Sequence, residues 1–312
     1  MPTKKATSPN REEKQREKAT INEIFQLILR ASGVDFSHYR QSTIRRRLKR
    51  YISLSGRKTT AAFFRHLEKH PEEIEALCDN LLLSFTEFFR EPKMFEALAK
   101  GVFPALVKNR TAKEPIRFWI PGCSTGEEVY SLAIAFSEFA EEHGIKIPLQ
   151  LFGTDLVERH IERARAAVYG DSIRKRLSAQ RLERYFDLAP EGYRVVKQIR
   201  EMCIFARQDI ANDPPFSNID LVSCRNVLIY FDAAYHDRVF PLFHFALKPC
   251  GFLVLGSTET TERFPRLFGA VDKKHRIFVK RKSRVKPRYD FAPHVAGGRM
   301  KSLPTSVAAP AE

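Results

Sequence analysis

The chain has 312 residues, 43% of them hydrophobic, and a formal net charge of +16. This length and apolar content are enough for one large domain or two modest domains with a packed core. The sequence has no apolar run near the roughly 18 residues of a membrane-spanning helix, and its polar N-terminus is unlike a secretory signal. We therefore expect a cytoplasmic protein without membrane insertion, whose positive charge favours an acidic partner of unspecified class.

Five cysteines occur along the chain, an odd number and without metal-ligand spacing. In a reducing cytosol we expect no disulfides and no metal site. A free cysteine outside such sites behaves as a small apolar side chain, so we predict buried, inert thiols. The five positions are Cys78, Cys123, Cys203, Cys224 and Cys250.

The two ends of the chain differ in composition from the rest. Residues 1–18 are charged and almost devoid of large apolar side chains. Residues 284–312 are rich in Pro, Arg and Lys, and then in Ala, Ser and Pro. Because such segments cannot bury enough apolar surface to form a core, we expect both to be disordered tails.

Residues 19–90 show helical periodicity and predict an all-helical N-terminal domain. Thr20 and Glu23 have the spacing of a capping box, which predicts that the first helix begins there. A third helix is expected over residues 61–69, and Pro71 suits the first position of a fourth. The apolar faces of the first two helices are formed by Ile21, Ile24, Phe25 and Ile28, and by Ile44, Leu48, Tyr51 and Ile52.

The second helix carries a dense group of basic side chains opposite its apolar face. Once the apolar face is buried, these positions face solvent, and most such faces are merely solvated. Because charges of one sign repel each other at this density, we interpret the group as a docking surface for an acidic substrate. Its members are Arg45, Arg46, Lys49 and Arg50, with Arg47 toward the boundary.

From about residue 115, strands alternate with helices, which predicts an α/β domain with a parallel sheet covered on both faces. Ligands bind such sheets at the carboxyl ends of the strands. Residues 170–200 interrupt the alternation with two short expected strands, 184–186 and 193–196, around the turn 190–192. We therefore predict a small antiparallel insertion in a catalytic domain of residues 91–283. The predicted strands of the main sheet are 116–120, 149–154, 202–206, 219–223 and 252–255.

The first chemical motif is the small-residue turn 122–126 (Gly-Cys-Ser-Thr-Gly) between a strand and a helix. Small residues let a ligand approach the backbone, and a helix N-terminus ordinarily favours an anion. Glu127 and Glu128 stand at that N-terminus, so a phosphate would be repelled. A cation such as S-adenosylmethionine suits the turn better. An ordinary strand–helix turn with acidic residues at the helix start fits it equally well.

The second motif is Asp155, which ends the second predicted strand. A carboxylate at this position can accept hydrogen bonds from both ribose hydroxyls of a nucleoside. The alternative is a cap for the helix that follows. Because Asp155 follows the small-residue turn in the expected order, we favour the ribose role.

The third motif is residues 213–216 (Asp-Pro-Pro-Phe), which resemble a signature of methyltransferases that act on amino nitrogens such as those of adenine. That signature directly follows the fourth strand, whereas here it precedes the strand and residues 224–226 occupy its place. We therefore interpret it as a proline-fixed loop. A nucleic-acid amino-methyltransferase remains the alternative function.

Several long motifs, in order along the chain, resemble the CheR family of chemotaxis receptor glutamate methyltransferases. The resemblance spans about residues 20–280 and implies a helical N-terminal domain, a Rossmann-like methyltransferase domain and a small antiparallel β insertion. It also implies S-adenosylmethionine as the cofactor and S-adenosylhomocysteine as the product. The motifs are residues 84–91, 122–128, 220–231 and 251–259.

The resemblance implies roles for individual residues. Glu127 would contact the methionine end of the cofactor, Asp155 its ribose, and Asp209 its adenine. Tyr230 would approach the transferred methyl group, and Arg90 would hold either the incoming carboxylate or that of the cofactor. The positions assigned to the cofactor are Ser84, Thr86, Arg90, Glu127, Asp155, Asp209, Ile210, Arg225 and Asn226.

Two residues depart from the family pattern, and the loop of the β insertion bears on receptor docking. Val129 replaces a proline after the Glu pair, and Asp209 replaces an Asn, which changes the hydrogen bonding beside the adenine. Members that dock on a receptor's C-terminal peptide use a longer, glycine-containing loop of the β insertion. The loop of residues 189–192 is short, so we expect no strong binding to such a peptide.

The implied chemistry is an in-line attack of a receptor glutamate carboxylate on the sulfonium methyl group. Free glutamate has a pKa of about 4.3 and is ionised at neutral pH, so no general base is needed. We expect catalysis from orientation and water exclusion. The implied partner is the cytoplasmic helical bundle of a chemotaxis receptor, with a monomeric enzyme and no nucleic-acid substrate. A regulatory module that binds the cofactor without turnover is the second alternative.

Overall fold

The structure is a computed structural model that describes residues 11–82, 85–108, 110–111 and 113–283, without the side chains of residues 13 and 14. Residues 1–10 and the C-terminal tail expected at 284–312 lie outside the described residues. Within the described ranges, no helix combines the length and the apolar character needed to cross a membrane.

The N-terminal part of the described chain is helical, as predicted. The apolar faces predicted for the first two helices pack into one core with residues of the next two, and only Tyr51 among them is half-buried. This core accounts for the helices, since each buries one amphipathic face. The helices are α1 (Arg11–Ser32), α2 (Gln41–Leu54), α3 (Thr60–Lys69) and α4 (Glu73–Leu81).

Two helix starts differ from the prediction. Helix α1 begins at Arg11, so residues 11–18 are helical rather than disordered. Thr20 lies inside this helix, where its hydroxyl donates to the Arg16 carbonyl at 3.2 Å instead of capping a helix start. The upstream residues are charged but are good helix formers, so they extend the helix. Pro71 precedes α4 in a turn, and its carbonyl accepts from the Ile74 N–H at 3.1 Å.

The catalytic part contains two sheets. A seven-stranded sheet has the order β6-β2-β1-β7-β8-β10-β9, and a three-stranded sheet has the order β3-β5-β4. The strands are β1 (Ile116–Pro121), β2 (Leu149–Asp155), β3 (Val168–Tyr169), β4 (Phe186–Ala189), β5 (Gly192–Val195), β6 (Cys203–Arg207), β7 (Ile219–Cys224), β8 (Leu247–Leu255), β9 (Phe268–Asp272) and β10 (Ile277–Lys280).

Short and long helices connect these strands. Two short helices and a π-helical turn join the helical domain to β1, and α7 and α11 cover opposite faces of the large sheet. The helices are α5 (Pro92–Ala97), the π turn (Leu98–Val102), α6 (Phe103–Val107), α7 (Glu127–Glu142), α8 (Glu158–Ala166), α9 (Ala179–Tyr185), α10 (Lys197–Arg200) and α11 (Ala233–Ala246).

The five strands predicted for the main sheet are present and pair in parallel. Strands β9 and β10 were not predicted, and they add an antiparallel pair at the β8 edge. Their short connection explains the direction, because parallel neighbours need a long crossover and a tight turn permits only antiparallel pairing. The parallel pairing predicted for the five strands is confirmed, and these two additional strands make the sheet mixed at this edge.

The predicted antiparallel insertion is confirmed by the pairing of β4 with β5 and of β5 with β3. Residues 184–185, expected in a strand, instead end helix α9. Gly192 begins β5 with φ of +129°, and a Cβ there would lie 2.2 Å from the Tyr169 carbonyl oxygen. Only glycine therefore fits where β5 crosses close to β3.

The sheet separates two apolar layers. Phe118 of β1 packs toward α7, and its neighbour Trp119 packs toward α11, as alternation along a strand requires. Among the thiols, those at 78, 123 and 224 are buried, whereas Cys203 is half-buried and Cys250 is exposed. The expectation of buried thiols was thus wrong for Cys250. This residue lies within β8 and adopts the left-handed backbone conformation, with φ of +62°.

Candidate active site

A cavity of about 1020 Å³, counted with its open mouth, lies at the carboxyl ends of β1, β2 and β7. Parallel strands bring these ends to one edge of the sheet, which is why residues distant in sequence meet there. The segment that follows α4 and residues of the helical domain close the remaining sides. The predicted site residues that line this cavity are Thr86, Arg90, Asp155, Asp209, Ile210, Arg225, Asn226 and Tyr230.

Two other predicted residues are not among the described residues that line the cavity. Ser84 lies outside the described residues. Glu127 accepts hydrogen bonds from the hydroxyls of Thr125, at 2.7 Å, and of Thr86. Burial raises the pKa of Glu127 above its usual value, against the opposing effect of these bonds. Its link to the cavity runs through Thr86, whereas the next residue, Glu128, lines the cavity directly.

The Asp155 carboxylate is held by backbone N–H groups on both sides. Its Oδ1 accepts from the Val157 N–H at 3.0 Å, in the turn that precedes α8, and its Oδ2 accepts from the Ser124 N–H at 2.8 Å. The alternative role as a helix cap is wrong, because Val157 holds the N-cap position of α8 and no side chain caps the helix. His160 lies 3.3 Å from Oδ1 through its Nδ1 atom. The carboxylate is therefore held between the small-residue turn and α8 while it faces the cavity.

Arg225 joins three segments of the site. Its side chain is fully buried, and its guanidinium donates to Glu128 at 3.3 Å, to Glu91 at 3.2 Å and to the Arg90 carbonyl at 2.7 Å. Glu128 also accepts from the Ser223 hydroxyl at 2.6 Å. A buried guanidinium needs such partners, so Arg225 fixes the segment of Arg90 against β7 and α7.

Asn226 follows Arg225 in the left-handed region, with φ of +58°. Its Oδ1 is buried and has no hydrogen-bond partner within the described part of the chain, and the same holds for Gln208 Oε1. Both residues line the cavity. Because buried polar atoms are ordinarily paired, these two acceptors suit a ligand that carries hydroxyl or amino donors.

Asp209 uses its carboxylate within its own loop. Oδ1 accepts from the Ala211 N–H at 2.9 Å, and Oδ2 accepts from the Asn212 side chain at 2.8 Å. The Asp213 carboxylate accepts from the Asp209 N–H at 2.8 Å. Phe216 packs against the rings of the apolar layer below. The Asp-Pro-Pro-Phe segment thus shapes the loop of Asp209, in agreement with the interpretation as a proline-fixed loop.

The helical domain supplies cavity residues that the sequence analysis did not assign to the site. Tyr39 lines the cavity, and the next residue, Arg40, donates its N–H to the Tyr230 carbonyl at 2.8 Å. Arg47 also lines it, with its guanidinium 4.9 Å from the centre of the Tyr230 ring. The sequence held one signal for Arg47, its place at the boundary of the basic face. No signal pointed to Tyr39, because only the docking of the two domains brings it there.

Arg90 lies at the cavity mouth. Its Nη1 donates to the Phe85 carbonyl at 2.8 Å, and its guanidinium lies 5.6 Å from the centre of the exposed Phe85 ring. This pair places a cationic fork and an apolar ring side by side at the edge of the cavity.

The basic positions of α2 divide into two groups. Arg45 donates to Asn22 at 2.6 Å, and Lys49 pairs with Glu17 at 2.9 Å, so both are engaged with α1. Arg46 and Arg50 are exposed. Contacts with Asn22 and Glu17 of α1 therefore account for part of the basic cluster, and Arg46 and Arg50 remain as its solvent-facing members.

Two parts of the chain match two domains of one protein family. Residues 84–277 match the S-adenosylmethionine-binding domain of the CheR methyltransferases, and residues 19–82 match the all-alpha domain of the same family. The putative methyltransferase Cher3 of Pseudomonas putida is 35% identical over 256 residues, which cover 79% of this chain and 91% of that protein. Chemotaxis protein methyltransferase 1 of Pseudomonas aeruginosa is 30% identical over 250 residues, covering 78% and 91%.

An uncharacterized 104.1 kDa protein of Rhodobacter capsulatus is 32% identical over 258 residues, which cover 83% of this chain but 27% of that protein. The chain therefore spans about a quarter of this relative's length. Among solved structures, an S-adenosylmethionine-dependent methyltransferase from Mesorhizobium loti is 24% identical and covers 57% of this chain and 64% of that chain, with a TM-score of 0.28. This similarity is too low to contribute to the assignment.

Proposed function

Because the chain belongs to the CheR methyltransferase family and contains its S-adenosylmethionine-binding domain, we propose that it methylates glutamate side chains of chemotaxis receptors. The observation that carries the proposal is a cavity lined by both domains, with the carboxylates of Asp155 and Glu128 and the guanidinium groups of Arg47, Arg90 and Arg225 in its wall. The cofactor has a cationic sulfonium and ammonium and an anionic carboxylate, so both signs of charge have partners there.

The cofactor end of the cavity is proposed to lie at the strand ends. Asp155 would accept from ribose hydroxyls, and Glu128 would face the cationic end of the molecule. The buried acceptors of Asn226 and Gln208 have no partner among the described residues, which supports a donor-rich ligand. When bound, S-adenosylmethionine supplies a methyl group on a sulfonium, an electrophile that needs no activation by an acid.

The substrate end of the cavity is proposed to lie between the two domains. Arg90 and Arg47 would orient the incoming carboxylate, since a guanidinium binds a carboxylate through paired hydrogen bonds. The ring of Tyr230, stacked beneath Arg47, would border the path of the methyl group. The carboxylate is already ionised at neutral pH, so these residues act by orientation and by excluding water.

The docking partner that we propose is the acidic, helical cytoplasmic region of a receptor, which would meet Arg46 and Arg50 of α2. We propose a cytoplasmic monomer whose helical domain spans residues 19–90 and whose catalytic domain spans residues 91–283, with 170–200 as the insertion. The segment before residue 91 connects the two domains: Phe88 and Phe89 pack into the core of the catalytic domain, and Arg225 contacts residues 90 and 91.

The nucleic-acid alternative gains no support from the site. Its motif, residues 213–216, shapes a loop and packs into an apolar layer. The remaining argument for it is the net charge of +16, which suits any acidic partner equally well.

The experiment that tests the proposed function follows a radiolabelled methyl group. The protein and labelled S-adenosylmethionine are incubated together in four separate reactions. These contain receptor-containing membranes, receptor-free membranes, RNA or DNA. We expect label on the receptor that mild alkali releases as volatile methanol, because a methyl ester hydrolyses whereas an N-methyl group does not. Alkali-stable label on nucleic acid would establish the alternative. Cofactor binding without any transfer would indicate a regulatory module.

A further inference from the structure

Glu259, in the loop after β8, is a carboxylate that is only 5% exposed. Its Oε2 accepts from the backbone N–H groups of Gly256 at 2.7 Å and of Asn226 at 2.9 Å, and its Oε1 accepts from the Ile229 N–H at 3.3 Å. A buried charge is costly unless it is hydrogen-bonded. The bonds that satisfy it run mainly to the loop that follows β7.

That loop carries part of the cavity wall. Asn226, Val227 and Tyr230 line the cavity, and Asn226 adopts the left-handed conformation. Two of the hydrogen bonds to Glu259 are donated by the backbone N–H groups of residues 226 and 229, so the carboxylate bridges these two positions of the loop. The Glu259 side chain therefore holds the backbone from which the amide of Asn226 and the ring of Tyr230 project.

The loop that carries Glu259 also contains Gly256, which packs closely against Asn226. A Cβ at Gly256 would lie 2.6 Å from Asn226 Nδ2 and 2.9 Å from Glu259 Oε2. The absence of a side chain at Gly256 lets the two loops approach, and the carboxylate then joins them. This packing leaves the Asn226 side chain little room to turn away from the cavity.

We propose that Glu259 is a positioning residue for methyl transfer, which fixes the 226–230 loop so that Asn226 and Tyr230 face the cavity. The inference rests on the proposed function and adds to it a residue that acts through others. The proposed role also explains why position 259 carries a carboxylate. A carboxylate presents only acceptors, whereas the amide of Gln would turn an NH₂ group toward one of the backbone N–H groups.

The matched control is Asp220, a second buried carboxylate at the other end of β7. It is 2% exposed and accepts from the Arg117 N–H at 2.8 Å, with Arg110 and Lys248 as ion-pair partners. Asp220→Asn and Glu259→Gln thus both replace a buried, hydrogen-bonded carboxylate on or beside the same strand. Only the second contacts the loop that lines the cavity.

The test compares the two variants by amide hydrogen exchange at residues 226 and 229, by cofactor affinity in calorimetry, and by kcat and KM for receptor. We expect Glu259→Gln to lose exchange protection at these amides, to weaken cofactor binding about tenfold and to lower kcat. Asp220→Asn should lower thermal stability and leave these properties of the folded protein unchanged. If Glu259→Gln keeps the cofactor affinity and the kcat of the parent, Glu259 has a structural role only.

Exchange and cofactor affinity require no receptor, so they test Glu259 even if the parent protein methylates another substrate. Should Glu259→Gln fail to fold, Glu259→Asp serves in its place, with Asp220→Glu as its control. Asp keeps the charge but is one methylene shorter, so it cannot reach both sides of the loop. Unchanged protection at residues 226 and 229 in a folded Glu259→Asp variant would overturn the proposal.

Discussion

The ring of Tyr39, between α1 and α2, packs against the ring of Phe231 with a centroid distance of 4.4 Å. The same two residues form an antiparallel backbone bridge, and the Asp232 N–H donates to the His38 carbonyl at 2.9 Å. Phe231 directly follows Tyr230, so this contact ties the helical domain to the segment that borders the cavity. Cofactor binding and domain docking should therefore depend on each other.

Tyr39→Ala tests this dependence. The variant loses an aromatic pair worth about 0.5–1.5 kcal/mol beyond its buried area and opens the cavity wall. We expect a lower unfolding temperature and a cofactor affinity reduced about tenfold, measured by scanning and titration calorimetry. Tyr39→Phe keeps the ring and is the control. Equal affinity in all three proteins would show that the helical domain is not part of the cofactor site.

Asp155→Asn separates ligand binding from the structural role of Asp155, which accepts from the backbone N–H groups of Ser124 and Val157. The amide keeps one acceptor oxygen but loses the charge, and a charge-assisted hydrogen bond is worth about 1.5–3 kcal/mol. Cofactor affinity should fall at least about tenfold by calorimetry. Thr59, whose side chain caps α3 by accepting from the Ala62 N–H, gives the matched control Thr59→Ala. That variant should lose about 1 kcal/mol of stability with normal cofactor affinity. A similar pattern in Asp155→Asn would leave Asp155 with a structural role alone.

Arg90→Ala should abolish most of the turnover in a folded protein. Removing the guanidinium from the mouth leaves the substrate carboxylate unoriented, and poor orientation can reduce the rate about a hundredfold. Steady-state kinetics with receptor membranes measures the effect. Arg263→Ala breaks an exposed ion pair with Asp237 and should retain full activity. Near-normal methylation by Arg90→Ala would show that Arg90 has only a structural role, through its contacts with Phe85.

Charge reversal at Arg46 and Arg50 tests the docking surface on α2. Exposed charges act mainly on association, and salt screens them over about 8–10 Å. The double variant to Glu should raise the receptor KM several-fold and flatten its salt dependence, with unchanged cofactor affinity. The same reversal at Lys273 and Lys274, exposed between β9 and β10, controls for net charge. If the double variant methylates the receptor normally at low salt, the basic face of α2 is only solvated and does not dock the substrate.

The β insertion allows a prediction about receptor tethering. Its two long strands are joined through Pro190 and Glu191 alone, and Gly192 is packed against β3. This connection offers little additional surface for a peptide. We expect no strong binding to a receptor's C-terminal peptide in a fluorescence titration. Micromolar affinity would contradict the prediction.

The sequence determined the helices of the N-terminal domain and the five parallel strands of the large sheet. Periodicity placed the apolar faces of α1 and α2 and the five parallel strands, since burial requires a period near 3.6 in helices and alternation or short apolar runs in strands. The order of motifs located Asp155 and Arg225 at strand ends, and the topology of parallel sheets brings such ends together. The sequence also predicted that the Asp-Pro-Pro-Phe segment is a loop.

The tertiary structure decided which residues share the cavity. Tyr39 and Arg47 belong to another domain, and only docking against Phe231 and Tyr230 brings them to the strand ends. The antiparallel edge strands depended on a short turn rather than on periodicity, which carries no strand direction. Glu259 could not be distinguished from a surface carboxylate in the sequence. Its function follows from the backbone N–H groups it meets once two distant loops have packed together.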